Sequence, residues 1–285
     1  MKFAVGMLAF SLVVFASNGF AGTQPVCGTQ TTSLGDSYDY CVHTGNRAKT
    51  QDVVYYFHGL WGNARQFFDQ RRDTSWVLKR WAQLGYEPSV VTISFGEIWL
   101  LVNNQKFPLL PVFQNEMMPF LEGKVGGLGG GRRLLMGESM GGFNASQASL
   151  QLPATFSKVA LLCPALTVIG PYSSPEDIDK YIARTKALRS RVNLMLGISR
   201  EVFADEADWQ SHNPFNLLTR YPGLIRPVFF VSTGLQDEFG FQEGSAEFVK
   251  AAQSAGFSAT WLPLAGGHCK YNREALAQFF LSRIR

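Results

Sequence analysis

The hexapeptide Gly137-Glu138-Ser139-Met140-Gly141-Gly142 lies between a short apolar run, Leu134-Leu135-Met136, and a segment of helical character, Phe143–Leu152. A strand that turns at once into a helix around Gly-x-Ser-x-Gly leaves no room for side chains beside the central residue. The glycines relieve that crowding, and the serine hydroxyl is lifted above the sheet edge. Met140 begins the helix, so its N–H has no partner one turn back and can face a developing negative charge. No other feature constrains the chain as much. It requires a strand that feeds a helix, and it marks Ser139 as a candidate nucleophile.

The rest of the chain repeats that alternation. Strands are expected at 52–57, 88–95, 132–136, 158–163, 227–233 and 259–264, with helices at 75–84, 114–121, 140–152, 242–255 and 273–285. Apolar, β-branched strands separated by helical patterns imply β-α-β units and a mostly parallel central sheet covered on both faces. Two segments break the rhythm. Residues 97–113 (EIWLLVNNQKFPLLPVF) are strongly apolar, and residues 164–226 form a helical insertion with pieces near 175–189 and 199–208. Both begin at strand carboxyl ends, where ligands of such sheets sit, so each is a candidate lid or substrate wall. For 97–113 two further roles stand open, a membrane-docking surface and ordinary core. The glycines at 123–131 precede a strand instead of joining one to a helix, so they read as a surface connection and not a phosphate loop.

A serine hydroxyl needs a base, and the base needs an orienting acid. Of the four histidines, His212 and His268 follow Ser139. His268 comes after a strand and the Gly266-Gly267 turn and is the expected base, while His212 falls in the insertion and is a candidate substrate contact. Asp237 follows the strand at 227–233 and is the expected acid, with the adjacent Glu238 as substitute. The second oxyanion donor is expected from the loop after the first strand, His58-Gly59-Leu60-Trp61-Gly62, at the N–H of Leu60, paired with that of Met140. His58 should hold this loop. Trp61 and Trp99 are further candidate substrate-binding residues.

Composition narrows the class. Net charge is +4 and only 17% of residues are charged, with the basic residues scattered, which gives no nucleic-acid stripe. Lys2, the apolar run 4–16 and Gly19-Phe20-Ala21 have the pattern of a secretory signal peptide cleaved near Ala21. The run falls short of the ~20 residues of a spanning helix, and no later stretch reads as a transmembrane segment. The organisation expected is a signal peptide at 1–21, a lead-in at 22–51 and one catalytic domain at 52–285, exported to the periplasm or secreted. The four cysteines, Cys27, Cys41, Cys163 and Cys269, allow three pairings. Cys27 with Cys41 would staple the lead-in; Cys163 and Cys269 could pair or stay free. No metal-ligand spacing occurs, and neither metal nor cofactor is expected.

Phe57-His58-Gly59-Leu60, the Ser-Met-Gly-Gly form of the turn at 139–142, Trp209 through Asn213-Pro214-Phe215, Gly234-Leu235-Gln236-Asp237 and Gly267-His268 together resemble the α/β-hydrolase superfamily. Within it they resemble the putative-esterase group of esterase D, feruloyl and acetylxylan esterases and mycolyltransferases. The resemblance spans Asp52 to the C-terminus and implies an α/β-hydrolase fold with a Ser139, Asp237, His268 triad and Leu60 and Met140 as oxyanion donors. Residues 97–113 match no motif of the group. The activity expected is cleavage of a small-molecule, glycan or lipid carboxylic ester through an acyl-enzyme. Two alternatives stand beside it: an acyltransferase that uses an alcohol acceptor, and an inactive binding protein on the same fold.

Overall fold

A computed structural model describes residues 24–282; the signal-type segment at 1–21 lies outside them. One eight-stranded sheet runs through the molecule in the order β1-β2-β4-β3-β5-β6-β7-β8. β3 (Val53–Phe57), β4 (Ser89–Ser94), β5 (Arg133–Glu138), β6 (Lys158–Leu162), β7 (Val228–Ser232) and β8 (Ala259–Trp261) are parallel. β1 (Val26–Thr31) and β2 (Ser37–His43) form an antiparallel hairpin added beside β4. The lead-in is thus part of the sheet, which the turn-rich composition of 28–37 concealed. Tyr38, Tyr40 and Val42 alternate inward and carry the core out to β2. Cys27 and Cys41 stand opposite each other in the ladder and are joined by a disulfide.

The strand pattern divides the core by the two-residue period of a pleated sheet. Val53, Tyr55, Phe57, Leu135, Leu161 and Val231 point to one face, and Val54, Tyr56, Leu134, Met136, Leu162 and Phe230 to the other. The second face is covered by α1 (Asp73–Gln83) and α10 (Arg273–Leu281), through Val77, Trp81, Leu276 and Phe280. The first is covered by α4 (Met140–Gln151), α8 (Pro214–Thr219), α9 (Phe241–Ser254) and a continuous helical stretch at 109–124. That stretch consists of α2 (Leu109–Val112), a π-helical turn at Phe113–Met117 and α3 (Met118–Lys124). α4 is buried from Met140 to Leu150. Its Ala145, Ser146, Ala148 and Ser149 are small enough for it to lie deep against the sheet.

Residues 97–113 fold largely into the core. Trp99, Leu101, Val102, Leu109, Leu110, Val112 and Phe113 are buried, and Ile98 is the one large apolar side chain left well exposed. The segment therefore has little apolar surface to offer a membrane. No helix among the described residues is long and apolar enough to cross one. The insertion at 164–226 holds four helices, α5 (Pro175–Thr185), α6 (Arg189–Val202), α7 (Glu206–His212) and α8. The helix expected across 199–208 is instead broken at 203–205, where the Asp205 carboxylate caps α7 by accepting from Asp208 N–H (2.8 Å). The one expected at 175–189 stops at Thr185, with Lys186 in the left-handed region as its cap.

Candidate active site

Ser139 follows the last residue of β5 and adopts φ 54°, ψ −115°. A Cβ on Gly137 would stand 2.0 Å from the Gly141 carbonyl oxygen, and one on Gly141 would stand 2.1 Å from that of Phe57. Only glycine at both places lets the turn close. Trp61, Cys163 and Cys269 also have positive φ, and all three surround Ser139. Such residues persist only where neighbours over-determine them.

The neighbours are visible. His268 Nε2 lies 2.9 Å from Ser139 Oγ, and His268 Nδ1 lies 2.7 Å from Asp237 Oδ2. Asp237 is buried, and its other oxygen accepts from Phe239 N–H (2.8 Å). The carboxylate has no freedom to turn, so it fixes the imidazole with Nε2 toward the serine. Glu238 takes a different task from that of substitute acid: its Oε2 accepts the backbone N–H of His268 at 2.7 Å. Burial pushes the Glu238 carboxyl up, but that N–H, with the nearby positive charges, brings it below the usual carboxylate value. A disulfide from Cys163, just past β6, to Cys269 ties the same loop to the sheet. It closes a separation of 106 residues, a constraint on the unfolded chain worth about 5 kcal/mol. Cys163, His268 and Cys269 are the one group of metal-type donors among the described residues, and both sulfurs are spent in that disulfide.

Beneath the serine, Glu138 accepts from Tyr56 Oη (2.9 Å), Gln66 Nε2 (2.9 Å) and Tyr271 Oη (2.7 Å). Burial first, and then the Glu138 charge, raise both tyrosines well above their ordinary value, so they remain donors. This cluster locks the turn from below and joins β3, β5 and the segment before α10. Its members are scattered over more than two hundred residues, and no local pattern announces them.

The loop after β3 is held through His58, which is wholly buried. Trp99 Nε1, which can only donate, lies 3.0 Å from His58 Nε2, and His58 Nδ1 lies 2.7 Å from the Gly59 carbonyl. The geometry selects one neutral tautomer, with the proton on Nδ1. Burial depresses the pKa, and the hydrogen bond to Gly59 only partly offsets this. Leu60 follows directly and borders the space beside Ser139. Met140 is the first residue of α4, and its N–H is among the orphan donors of that terminus.

Two cavities meet at Ser139 and Leu60. One is a narrow apolar slot of about 70 Å³, walled by Phe143, Leu194, Ile198, Phe203 and Trp209, with no charged side chain in its lining. The other is a wide cleft of about 710 Å³ that includes Trp61, Glu238, Gly267 and His268. Of the candidate substrate-binding residues, Trp61 borders the cleft and is 54% exposed. Trp99 and His212 need correction. Trp99 is buried against Phe57 and Phe95 and lines neither cavity. His212 is buried between Asp208, Ser211 and the Phe203 ring, and it also lines neither.

Solved structures share this fold. A ferulic acid esterase is 20% identical, with a TM-score of 0.65 over 90% of this chain and 95% of its own. Esterase B from Lactobacillus rhamnosis is 18% identical, with a TM-score of 0.57 over 90% of this chain and 80% of its own. An esterase from Pyrobaculum calidifontis is 18% identical, with a TM-score of 0.60 over 86% of this chain and 76% of its own. No curated protein sequence matches the chain. The family model described as "Putative esterase" matches residues 102–262, more than half of the chain and the whole run from the segment before the serine turn to the strand before His268. The chain belongs to that esterase family, and it is a carboxylesterase-type hydrolase on the α/β-hydrolase fold.

Proposed function

We propose that the chain hydrolyses carboxylic esters through a covalent acyl-enzyme on Ser139. The observation that carries this reading is the unbroken line Asp237, His268, Ser139, at 2.7 and 2.9 Å. His268 takes the serine proton as Oγ attacks the ester carbonyl, and the N–H groups of Leu60 and Met140 receive the oxyanion. Collapse of the tetrahedral intermediate breaks the bond to the alcohol, whose oxygen takes the proton from His268. Water, deprotonated by His268, then attacks the acyl carbon and frees the carboxylic acid and Ser139. Asp237 stays ionised and stabilises the imidazolium formed in each half.

The apolar slot takes the acyl group, since it offers buried apolar surface and no charge. An exported enzyme fits the signal-type N-terminus and the two disulfides, which persist in oxidising compartments. Purified Ser139→Ala should lose about 10⁴-fold or more in kcat against 4-nitrophenyl esters while keeping its thermal transition. A fluorophosphonate should label the wild type at Ser139 and spare the variant. A folded wild type that resists the reagent would overturn the proposal.

A further inference from the structure

We propose that the alcohol half of the natural ester carries a negative charge, held between Arg72, Arg191 and Lys270. The inference rests on the acyl-enzyme reading above and assigns the substrate class to that same site. His268 must hand its proton to the leaving oxygen, so the alcohol departs on the His268 side. His268 borders the wide cleft and not the apolar slot. The alcohol therefore lies in the cleft.

Three cations from three separate parts of the chain line that cleft: Arg72 at the start of α1, Arg191 in α6 and Lys270 two residues past His268. None of them makes an ion pair among the described residues, whereas Arg132 and Arg133, at the far end of β5 from Ser139, are each tied to a carboxylate. Arg191 sits over the Phe239 ring, 5.5 Å from its centroid. Two acids also border the cleft, and Glu238 feels the Arg191 charge, so the three cations outnumber them by one. Glu138 receives three hydrogen bonds from below, and Glu238 holds the His268 N–H. Beyond Trp61 the cleft continues into a groove that adds Arg65, with Arg71 paired to Asp69.

A neutral alcohol can accept hydrogen bonds from these side chains but gains no ionic attraction from their charge. An anion gains direct contacts and is steered toward the serine by the local field. The slot has no charge at all, so the two halves of the substrate are sorted by polarity at the carbonyl. The ligand class this describes is an ester of a hydroxy acid or of another alcohol with an anionic group near the hydroxyl.

The test compares 3-acetoxybenzoate with 3-acetoxybenzamide, which share acyl group, ring and shape and differ in charge. Each kcat/KM is divided by the same ester's alkaline hydrolysis rate. The expected ratio favours the anion by about tenfold at low salt, is carried in KM, and shrinks toward twofold in 0.5 M NaCl. In an Arg72→Gln, Arg191→Gln, Lys270→Gln variant the ratio should approach one. A wild-type ratio at or below one, or a ratio indifferent to salt, overturns the proposal without need of any variant. If both esters turn over too slowly, protection of Ser139 from a fluorophosphonate reads the same preference. Protection by 3-hydroxybenzoate and not by 3-hydroxybenzamide supports the proposal, and equal protection overturns it. Labelling of Ser139 with no charge preference sinks this inference alone. Absence of labelling in folded protein sinks the acyl-enzyme reading and this inference with it.

Discussion

Residues 97–113 and 164–226 both leave the sheet at the carboxyl end of a strand, and both are apolar enough to be read as substrate walls. They end in different roles, although Leu100 of the first also borders the slot. Residues 97–113 are pinned from behind by α4: Asn144 Oδ1 accepts Leu101 N–H (2.9 Å), and Asn144 Nδ2 donates to the Trp99 carbonyl (3.2 Å). The segment then supports His58, and through it the loop of Leu60. Residues 164–226 stand in front, where Leu194, Ile198, Phe203 and Trp209 wall the slot. The lesson is that apolar content does not separate support from specificity. What separates them is where a buried polar side chain of α4 claims the backbone: in 164–226 Gln147 Nε2 donates to the His212 carbonyl (2.6 Å), beyond the residues that wall the slot, whereas in 97–113 the hold falls on Trp99 and Leu101, behind the loop of Leu60. For 97–113 that side chain is Asn144, wholly buried in the helix the serine turn begins.

This contrast can be broken most severely at Asn144. Asn144→Ala would leave the Leu101 N–H and the Trp99 carbonyl buried without partners, and each such loss costs about 1–3 kcal/mol. We expect about 3 kcal/mol of destabilisation in urea unfolding, with at most a small change of acyl-chain preference, through Leu100, in whatever protein remains folded. A large change of preference at unchanged stability would reverse the roles assigned to the two segments.

The opposite behaviour is expected of Ile198, which borders the slot from α6. Ile198→Phe should fill part of a space of about 70 Å³ and cut kcat/KM for hexanoyl against acetyl 4-nitrophenyl esters by about tenfold, the scale on which apolar pockets discriminate chain length. Unfolding should move little. If chain preference stays flat, the slot is not where the acyl group lies.

Much of this was legible before any coordinates. Gly137 and Gly141 announced the turn, and the strand alternation implied the sheet and its two covered faces. The spacing of Asp237 and His268 behind strands brought forward the two side chains that the structure sets in line with Ser139. Other features depend on pairs no local pattern connects. The hairpin at 26–43 was hidden because the turn-rich composition of 28–37 covers most of its first strand, leaving the inward alternation of Tyr38, Tyr40 and Val42 without a visible partner. The Glu138 cluster draws on Tyr56, Gln66 and Tyr271, and the partner of Cys163 lies 106 residues away. Arg72, Arg191 and Lys270 converge only because α1, α6 and the His268 loop share one rim.

The mildest test concerns Trp99 as a support for His58. Trp99→Phe removes the indole donor to His58 Nε2, leaving that nitrogen to the Ser94 hydroxyl alone (2.8 Å), and keeps most of the packing with Phe57 and Phe95 in place. At pH 8 the cost should be about 1 kcal/mol of stability, and kcat should fall severalfold with KM nearly constant, because the altered group positions an oxyanion donor and does not touch substrate. The pH dependence carries the sharper signature. Burial holds His58 below the ordinary imidazole value of 6.5, so as pH falls the unfolded chain binds a proton that the folded protein refuses. The stability contributed by this group is therefore complete above pH 6.5 and is lost progressively below it. In Trp99→Phe the remaining partner of Nε2 is the Ser94 hydroxyl, which can accept from a protonated Nε2 as the indole cannot, so the folded state can take up the proton and its loss of stability on acidification should be shallower. Urea midpoints of the two proteins should thus draw together between pH 8 and pH 5. If they run parallel or diverge, Trp99 is core packing alone, and residues 97–113 support the site through their backbone, at the stretch that Asn144 holds and at the Glu97 carbonyl that accepts Trp61 N–H (2.9 Å).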